Sequence, residues 1–204
     1  GDFSARLVER CGALDVAVTE AQLDQLWRYY ELLDKWNQRT NLTALNLSEL
    51  SAATIDRLIV EPLSAKVAIP EYVDGAWVDL GSGGGSPAIP LKIVLHHLRL
   101  TMTESRSRKA AFLREAARAV GLSGVHVVSD RFETLRSQSR GSVQLVTTRA
   151  VRLDSSVVSL VRDLLVPNGI FVSFGHREQE VPKGFRAISR KTVPCSDFVV
   201  LAKI

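Results

Sequence analysis

The sequence predicts an α/β fold: a mostly parallel sheet that ends in an antiparallel hairpin and is preceded by a helical N-terminal cap. Three observations predict it. From residue 76 onward, short apolar runs alternate with helical stretches, the pattern of a parallel sheet wrapped by helices. The last two strand-like runs, 184–194 and 196–204, have no helix between them and read as a hairpin. The first 70 residues have helical texture. The boundary falls near residue 70, between a helical cap (1–70) and an α/β domain (71–204).

The elements follow in order. Phe3 to Leu14 is a short amphipathic stretch. Thr19 and Gln22 form a capping box, a hydroxyl N-cap with an amide three residues on. Leu23, Leu26, Trp27, Tyr30, Leu33 and Trp36 then recur at spacings of three and four, a helical core stripe. Asn and Thr break the pattern at 37–45. Residues 51–67 read as a helix ended by Pro70. Strands are expected at 76–80, 99–104, 125–129, 142–148 and 169–174. Helices are expected at 90–98, 107–122 and 155–167, with Gly121 and Pro167 as stops.

Composition narrows the class. The 204 residues suit one domain with an appended element. Lys plus Arg is 26 against 22 acids, and the net charge of +4 permits an anionic partner without demanding one. Cys11 and Cys195 lie far apart with no CxxC, so neither a zinc site nor a disulfide framework is expected. No run reaches the ~18 apolar residues of a membrane span. The first residues mix acids and arginines and do not form a signal peptide. A soluble, cytoplasmic protein without metal is the expectation.

The chemistry is carried by VDLGSGGGSPAIPL, Val78 to Leu91, at the turn from the first strand to the first helix. In open α/β sheets a ligand enters at that turn. Glycines let backbone N–H groups approach it, and Ser86 and Pro87 suit a helix start. No Lys follows, which excludes a P-loop. Ser86 stands where a dinucleotide fold wants its third glycine. S-adenosylmethionine (AdoMet) carries no phosphate but has an ammonium, a carboxylate and a sulfonium. Asp79 would repel a pyrophosphate and suits a cationic amine or a loop N–H. Glu104 ends the second strand, 25 residues on, where an acid accepts ribose hydroxyls in NAD and AdoMet folds alike. Acid, Gly81-x-Gly83-x-Gly85 and acid again, with the terminal hairpin, point to AdoMet.

The chain resembles the bacterial small-subunit (16S) rRNA guanine-N7 methyltransferases, RsmG or GidB. The resemblance rests on KWNQRTNLTAL (35–45), VDLGSGGGSPAIPLKIV (78–94), ESRSRKAAFLREA (104–116), SDRFETL (129–135) and TRAV (148–151). It implies a Rossmann-like class I methyltransferase fold with a seven-stranded sheet, AdoMet as methyl donor and ribosomal RNA or the small subunit as partner. It maps cofactor contacts onto Gly81, Ser86, Phe132 and Glu133, and puts Arg149 at the end of the fourth strand, facing donor and substrate. The chain departs from the family pattern at Leu58, Glu61, Gln144 and Phe174, where a His, an Asp, an acid and a Lys are usual. The cofactor half therefore reads as intact and the substrate half as altered. A different acceptor, or a binding module with little catalysis, stays open.

Guanine N7 already holds an in-plane lone pair, so its methylation requires no general base, and the sequence offers no His or Cys dyad. His96, His97 and His126 read as solvated residues, and His176 as a candidate substrate contact. Arg57, Arg106, Arg108 and Lys109 are the expected RNA contacts. A monomer is expected.

Overall fold

The computed structural model describes residues 2–175, 180–193 and 196–204. Its cap begins with α1 (Asp2–Gly12) and α2 (Glu20–Thr40). The Thr19–Gln22 capping box forms in both directions, at 3.0 and 3.2 Å. α2 runs through Asn37 to Thr40 and stops at Asn41, whose φ is 45°. The Asn37 side chain explains the extension: its oxygen accepts the N–H groups of Leu42 and Thr43, at 2.7 and 2.9 Å, and so satisfies the turn that follows. The buried face is Leu26, Tyr29, Tyr30 and Leu33, with Trp27 and Trp36 partly buried beside it.

The expected 51–67 helix forms with a defect. α3 (Ala52–Ile55) passes into a π turn (Asp56–Val60), then α4 (Glu61–Ala65) and a 3₁₀ turn (Lys66–Ala68). Asp56 is buried and paired with Arg10 of α1 through both carboxylate oxygens.

The α/β part runs β1 (Ala76–Leu80), α5 (Ala88–Val94), β2 (Arg99–Thr103), α6 (Ser107–Val120) and β3 (Val125–Val128). After a 3₁₀ turn (Phe132–Thr134) come α7 (Leu135–Gln138), β4 (Val143–Arg149), α8 (Ser155–Leu164), β5 (Leu165–Phe174), β6 (Phe185–Val193) and β7 (Ser196–Lys203). The sheet order is β3-β2-β1-β4-β5-β7-β6. β1 to β5 are parallel; β7 runs antiparallel between β5 and β6. This is the expected seven-stranded sheet and terminal hairpin.

Two helix ends differ most. α5 ends at Val94 rather than 98, because buried Lys92 donates its ammonium to the His96 and Leu98 carbonyls, closing a turn there. α8 ends at Leu164, before Pro167, which lies inside β5. The register of β5 against β4 slips between Leu165 and Ile170, so Pro167 sits in a bulge, where no ladder donor is needed.

Strand residues alternate between two cores. Trp77, Leu145, Ile170 and Val172 face the cap, α5 and α6; Val78, Val146 and Phe171 face α7 and α8. In the cap, α2 packs on α5 and α6, and α4 packs on α5 and reaches the sheet at β7. Each Leu fully buried there contributes about 2 kcal/mol.

Candidate functional site

The site lies at the carboxyl ends of β1, β2 and β4, where the cap meets the glycine loop. The loop is fixed by backbone bonds: Ser82 N–H to the Thr103 carbonyl at 2.8 Å and Gly85 N–H to the Ser82 carbonyl at 2.7 Å. Its glycines serve two purposes. Gly83 has φ +52°, and a Cβ there would meet nothing nearer than the Gly81 carbonyl, 3.8 Å away. Its bare backbone faces open space. Gly84 faces the cap instead: a Cβ would stand 3.0 Å from the Leu42 carbonyl, and the Tyr29 hydroxyl donates to the Gly84 carbonyl at 2.7 Å. The first leaves space beside the loop and the second concerns docking of α2. Tyr29 was missed in the sequence, although it lies three residues after Leu26 and four before Leu33.

Asp79 is 1 % exposed. Its carboxylate accepts the Ser82 hydroxyl at 2.6 Å and the Thr147 hydroxyl at 2.5 Å, while the Trp77 indole N–H donates to Thr147 at 2.9 Å. Burial pushes the acid up to about 6, against the two hydroxyls and the Arg149 charge. Its partners are hydroxyls rather than the amine or N–H group expected of it. They tie β1, β4 and the loop together.

Glu104 follows β2. One oxygen accepts the Gly83 N–H at 3.0 Å and the other the Arg106 N–H at 2.8 Å. A carboxylate has about four lone-pair sites, so acceptor capacity remains for a diol beside the loop.

Arg149 closes β4. Its Nη1 donates to the Arg57 carbonyl at 2.7 Å and to Ser86 Oγ at 2.8 Å, and its Nη2 to Glu61 Oε2 at 2.7 Å. The guanidinium carbon lies 5.1 Å from the centre of the Phe174 ring. Burial lowers its pKa to about 10, opposed chiefly by Glu61, so it stays cationic at neutral pH. Its Nε is buried with no acceptor among the described residues. Three of the four departures noted in the sequence, at Leu58, Glu61 and Phe174, gather here, while Gln144 lies at the far end of β4. Ser86 does not cap α5, which starts at Ala88 after Pro87; its hydroxyl donates instead to the Leu58 carbonyl at 2.7 Å. Its oxygen accepts from Arg149 Nη1 at 2.8 Å, so a tertiary donor stands where a helix N–H was expected.

The glycine loop, Ser86 and Arg149 line a cleft of about 380 Å³, with Leu42, Thr43 and Leu58 of the cap on its other side. That is within the range of small-molecule sites, ~300–1,000 Å³. Ala150, in the left-handed region at φ 58°, also lines it. The bare Gly83 backbone, the unmatched Arg149 Nε and the acid at Glu104 fit AdoMet, which offers a carboxylate and a ribose diol. Gly81 shares the cleft, and Gly85 is buried against Ile89 and Tyr29.

The remaining candidates are spread out. Phe132 is half-buried in the 3₁₀ turn after β3 and Glu133 is exposed beside it. Arg106 and Arg108 are exposed and Lys109 half-buried where α6 starts, next to Glu104. Arg57 reaches Glu61 at 3.4 Å. His176 lies outside the described residues. Among those described, no three His, Cys, Asp or Glu side chains are grouped to hold a metal.

The family described as GidB, rRNA small subunit methyltransferase G, matches residues 22–196. The ribosomal RNA small subunit methyltransferase G of Neisseria gonorrhoeae (strain NCCP11945) is 36% identical over 170 residues, 82% of this chain and 77% of that protein. The protein of the same name from Staphylococcus carnosus (strain TM300) is 34% identical over 170 residues, 82% and 70% of the two chains. Among solved structures, a putative methyltransferase, yhhF, from Escherichia coli aligns at TM-score 0.56 and 16% identity, covering 71% of this chain and 84% of that one. A structure of MtNAS in complex with MTA and tNA aligns at TM-score 0.58 and 16% identity, covering 90% and 75%. These two show a shared fold alone. The match over residues 22–196, and relatives above 30% identity across most of the chain, establish that it belongs to the rRNA small subunit methyltransferase G family.

Proposed function

We propose that the chain transfers a methyl group from AdoMet to N7 of a guanine in small-subunit (16S) ribosomal RNA. The observation that carries this is the cleft between the glycine loop and Arg149, with Glu104 bonded to the loop at Gly83, in a chain of this family. AdoMet supplies a sulfonium methyl that passes to the N7 lone pair, leaving a neutral thioether and a cationic base, with no proton to remove. The chain's part is binding and alignment, which alone can supply much of such a rate.

Glu104 accepts the ribose hydroxyls. The loop backbone at Gly81 and Gly83 borders the methionine end, its N–H groups held by Thr103 and Glu104, Gly85 shapes the turn behind it, and Asp79 holds the loop through Ser82. Phe132 and Glu133 border the adenine. Arg149 and Ser86 border the reacting centre, and Leu42 and Leu58 exclude water. Arg57, Arg106, Arg108 and Lys109 neutralise RNA phosphates, and His176 contacts the acceptor. Residues 1–70 act as the cap and 71–204 as the transferring domain. The reading includes a cytoplasmic monomer; no described helix is long and apolar enough to cross a membrane.

The test is incubation of the protein with methyl-labelled AdoMet and small subunits from cells lacking the mark, followed by nuclease digestion. Label as N7-methylguanosine at one site is the expected result. AdoMet binding without label in any ribosomal RNA would move the reading to a different acceptor, which the residues at Glu61 and Phe174 around Arg149 favour as the alternative.

A further inference from the structure

The π turn has a covalent cause. Glu61 donates its N–H to Asp56, five residues back, rather than to Arg57. The next residue is Pro62, which has no N–H. The Arg57 carbonyl therefore meets no helix donor four residues on, where the N–H is spent, or five residues on, where proline stands. The Leu58 carbonyl loses its fourth-residue donor to the same proline.

Both carbonyls find partners across the cleft boundary. Arg149 Nη1 takes the Arg57 carbonyl at 2.7 Å, and Ser86 Oγ takes the Leu58 carbonyl at 2.7 Å. Ser86 Oγ in turn accepts from Arg149 Nη1 at 2.8 Å. Arg149, Ser86 and the two carbonyls thus close one ring of bonds joining β4, the glycine loop and the cap. Pro62 itself is buried in α4 and lines no part of the cleft.

We propose that Pro62 is a positioning residue for methyl transfer: by withholding one N–H it turns two cap carbonyls outward as the seat for Arg149 and Ser86. This rests on the methyltransferase reading. π turns inside α-helices recur at functional sites, and here the turn aims backbone acceptors at the residues that border the reacting centre. An N–H at position 62 would compete with Arg149 for Arg57 or with Ser86 for Leu58.

The experiment compares full-length wild type, Pro62→Ala, Ser86→Ala, Ser86→Thr and the Pro62→Ala/Ser86→Ala double variant. AdoMet affinity is read by calorimetry, and kcat and KM on unmethylated small subunits. The expected result is a loss in kcat of about tenfold for Pro62→Ala and for Ser86→Ala, with weaker AdoMet binding and little change in KM for the subunit. The double variant loses no more than the worse single one, because both act on one ring. Ser86→Thr keeps a hydroxyl and most of the activity. Additive losses, a Pro62→Ala variant with wild-type kcat and AdoMet affinity, or equal losses for Ser86→Thr and Ser86→Ala would overturn the inference. The two serine variants keep it testable where Pro62→Ala does not fold. Wild type that transfers no methyl to ribosomal RNA would sink the functional reading instead, and the AdoMet affinities of the variants would still decide this one.

Discussion

Arg149 Nη2 and Glu61 Oε2 meet at 2.7 Å, joining the last residue of β4 to the first residue of α4 across 88 positions of sequence. Glu61 is fully buried, so its carboxylate is not screened by water. Removing one member of such a pair leaves the other charge poorly compensated. Glu61→Gln is expected to cost about 3 kcal/mol of stability, read as a fall in denaturation midpoint. Arg149→Lys is expected to lower kcat by about a hundredfold, since one ammonium cannot reach the carbonyl, hydroxyl and carboxylate that the forked guanidinium holds together. Wild-type rates in Arg149→Lys would remove Arg149 from the reacting centre.

Asp79 predicts a pH dependence. Its pKa rises from 3.8 unfolded to about 6 folded, so folding favours the protonated form. The stability this gives is complete below pH 3.8 and is lost as pH rises through 6, a swing of about 3 kcal/mol. Asp79→Asn is uncharged throughout. The difference in thermal midpoint between Asp79→Asn and wild type should therefore grow from pH 4 to pH 7 in favour of the variant. A difference that stays flat across that window would mean that Asp79 is not desolvated as described.

Gly84→Ala and Gly83→Ala should separate the two purposes of the glycine loop. At Gly84 a Cβ meets the Leu42 backbone at 3.0 Å, which cannot swing aside. About 2 kcal/mol of stability is expected to go, together with looser docking of α2 seen as faster proteolysis at 41–45. At Gly83 the Cβ enters the cleft from a left-handed backbone. There AdoMet affinity should fall at least tenfold, with about 1 kcal/mol of strain. Equal effects on both readouts would refute the division.

Arg106 and Arg108 are exposed at the start of α6, beside Glu104. Replacing both with Ala should leave AdoMet affinity unchanged and weaken subunit binding. The slope of log affinity against log salt should become shallower by about one for each phosphate that is no longer neutralised. An unchanged slope would put the RNA on another face.

What the sequence revealed was local. The glycine loop, the Thr19 box, the Gly121 stop and the hairpin each depend on residues close together in the chain, and each appears in the structure. The surroundings of Arg149 were not legible. Its partners lie 63, 88 and 92 residues away, and no periodicity reports such a separation. Leu58, Glu61 and Phe174 stood out singly as departures from a family pattern, without a sign that they share one neighbour. Pro62 was visible too, but its effect depends on where the Glu61 N–H goes. Ser86 shows the opposite failure: its place before a helix suggested a cap, and its oxygen accepts instead from Arg149, 63 residues on.

The seat for Arg149 is translated 92 residues before Arg149 itself. While the chain is being made, the cap holds a carboxylate at Glu61 whose Arg149 partner arrives only with β4, whereas the apolar face at Leu26, Tyr29 and Leu33 belongs to α2, which packs on the earlier helices α5 and α6. Before β4 is made, that carboxylate has Arg57 beside it but not Arg149. Synthesis order thus makes the Glu61–Arg149 contact one that can form only after the cap and the first helices of the sheet domain have been made.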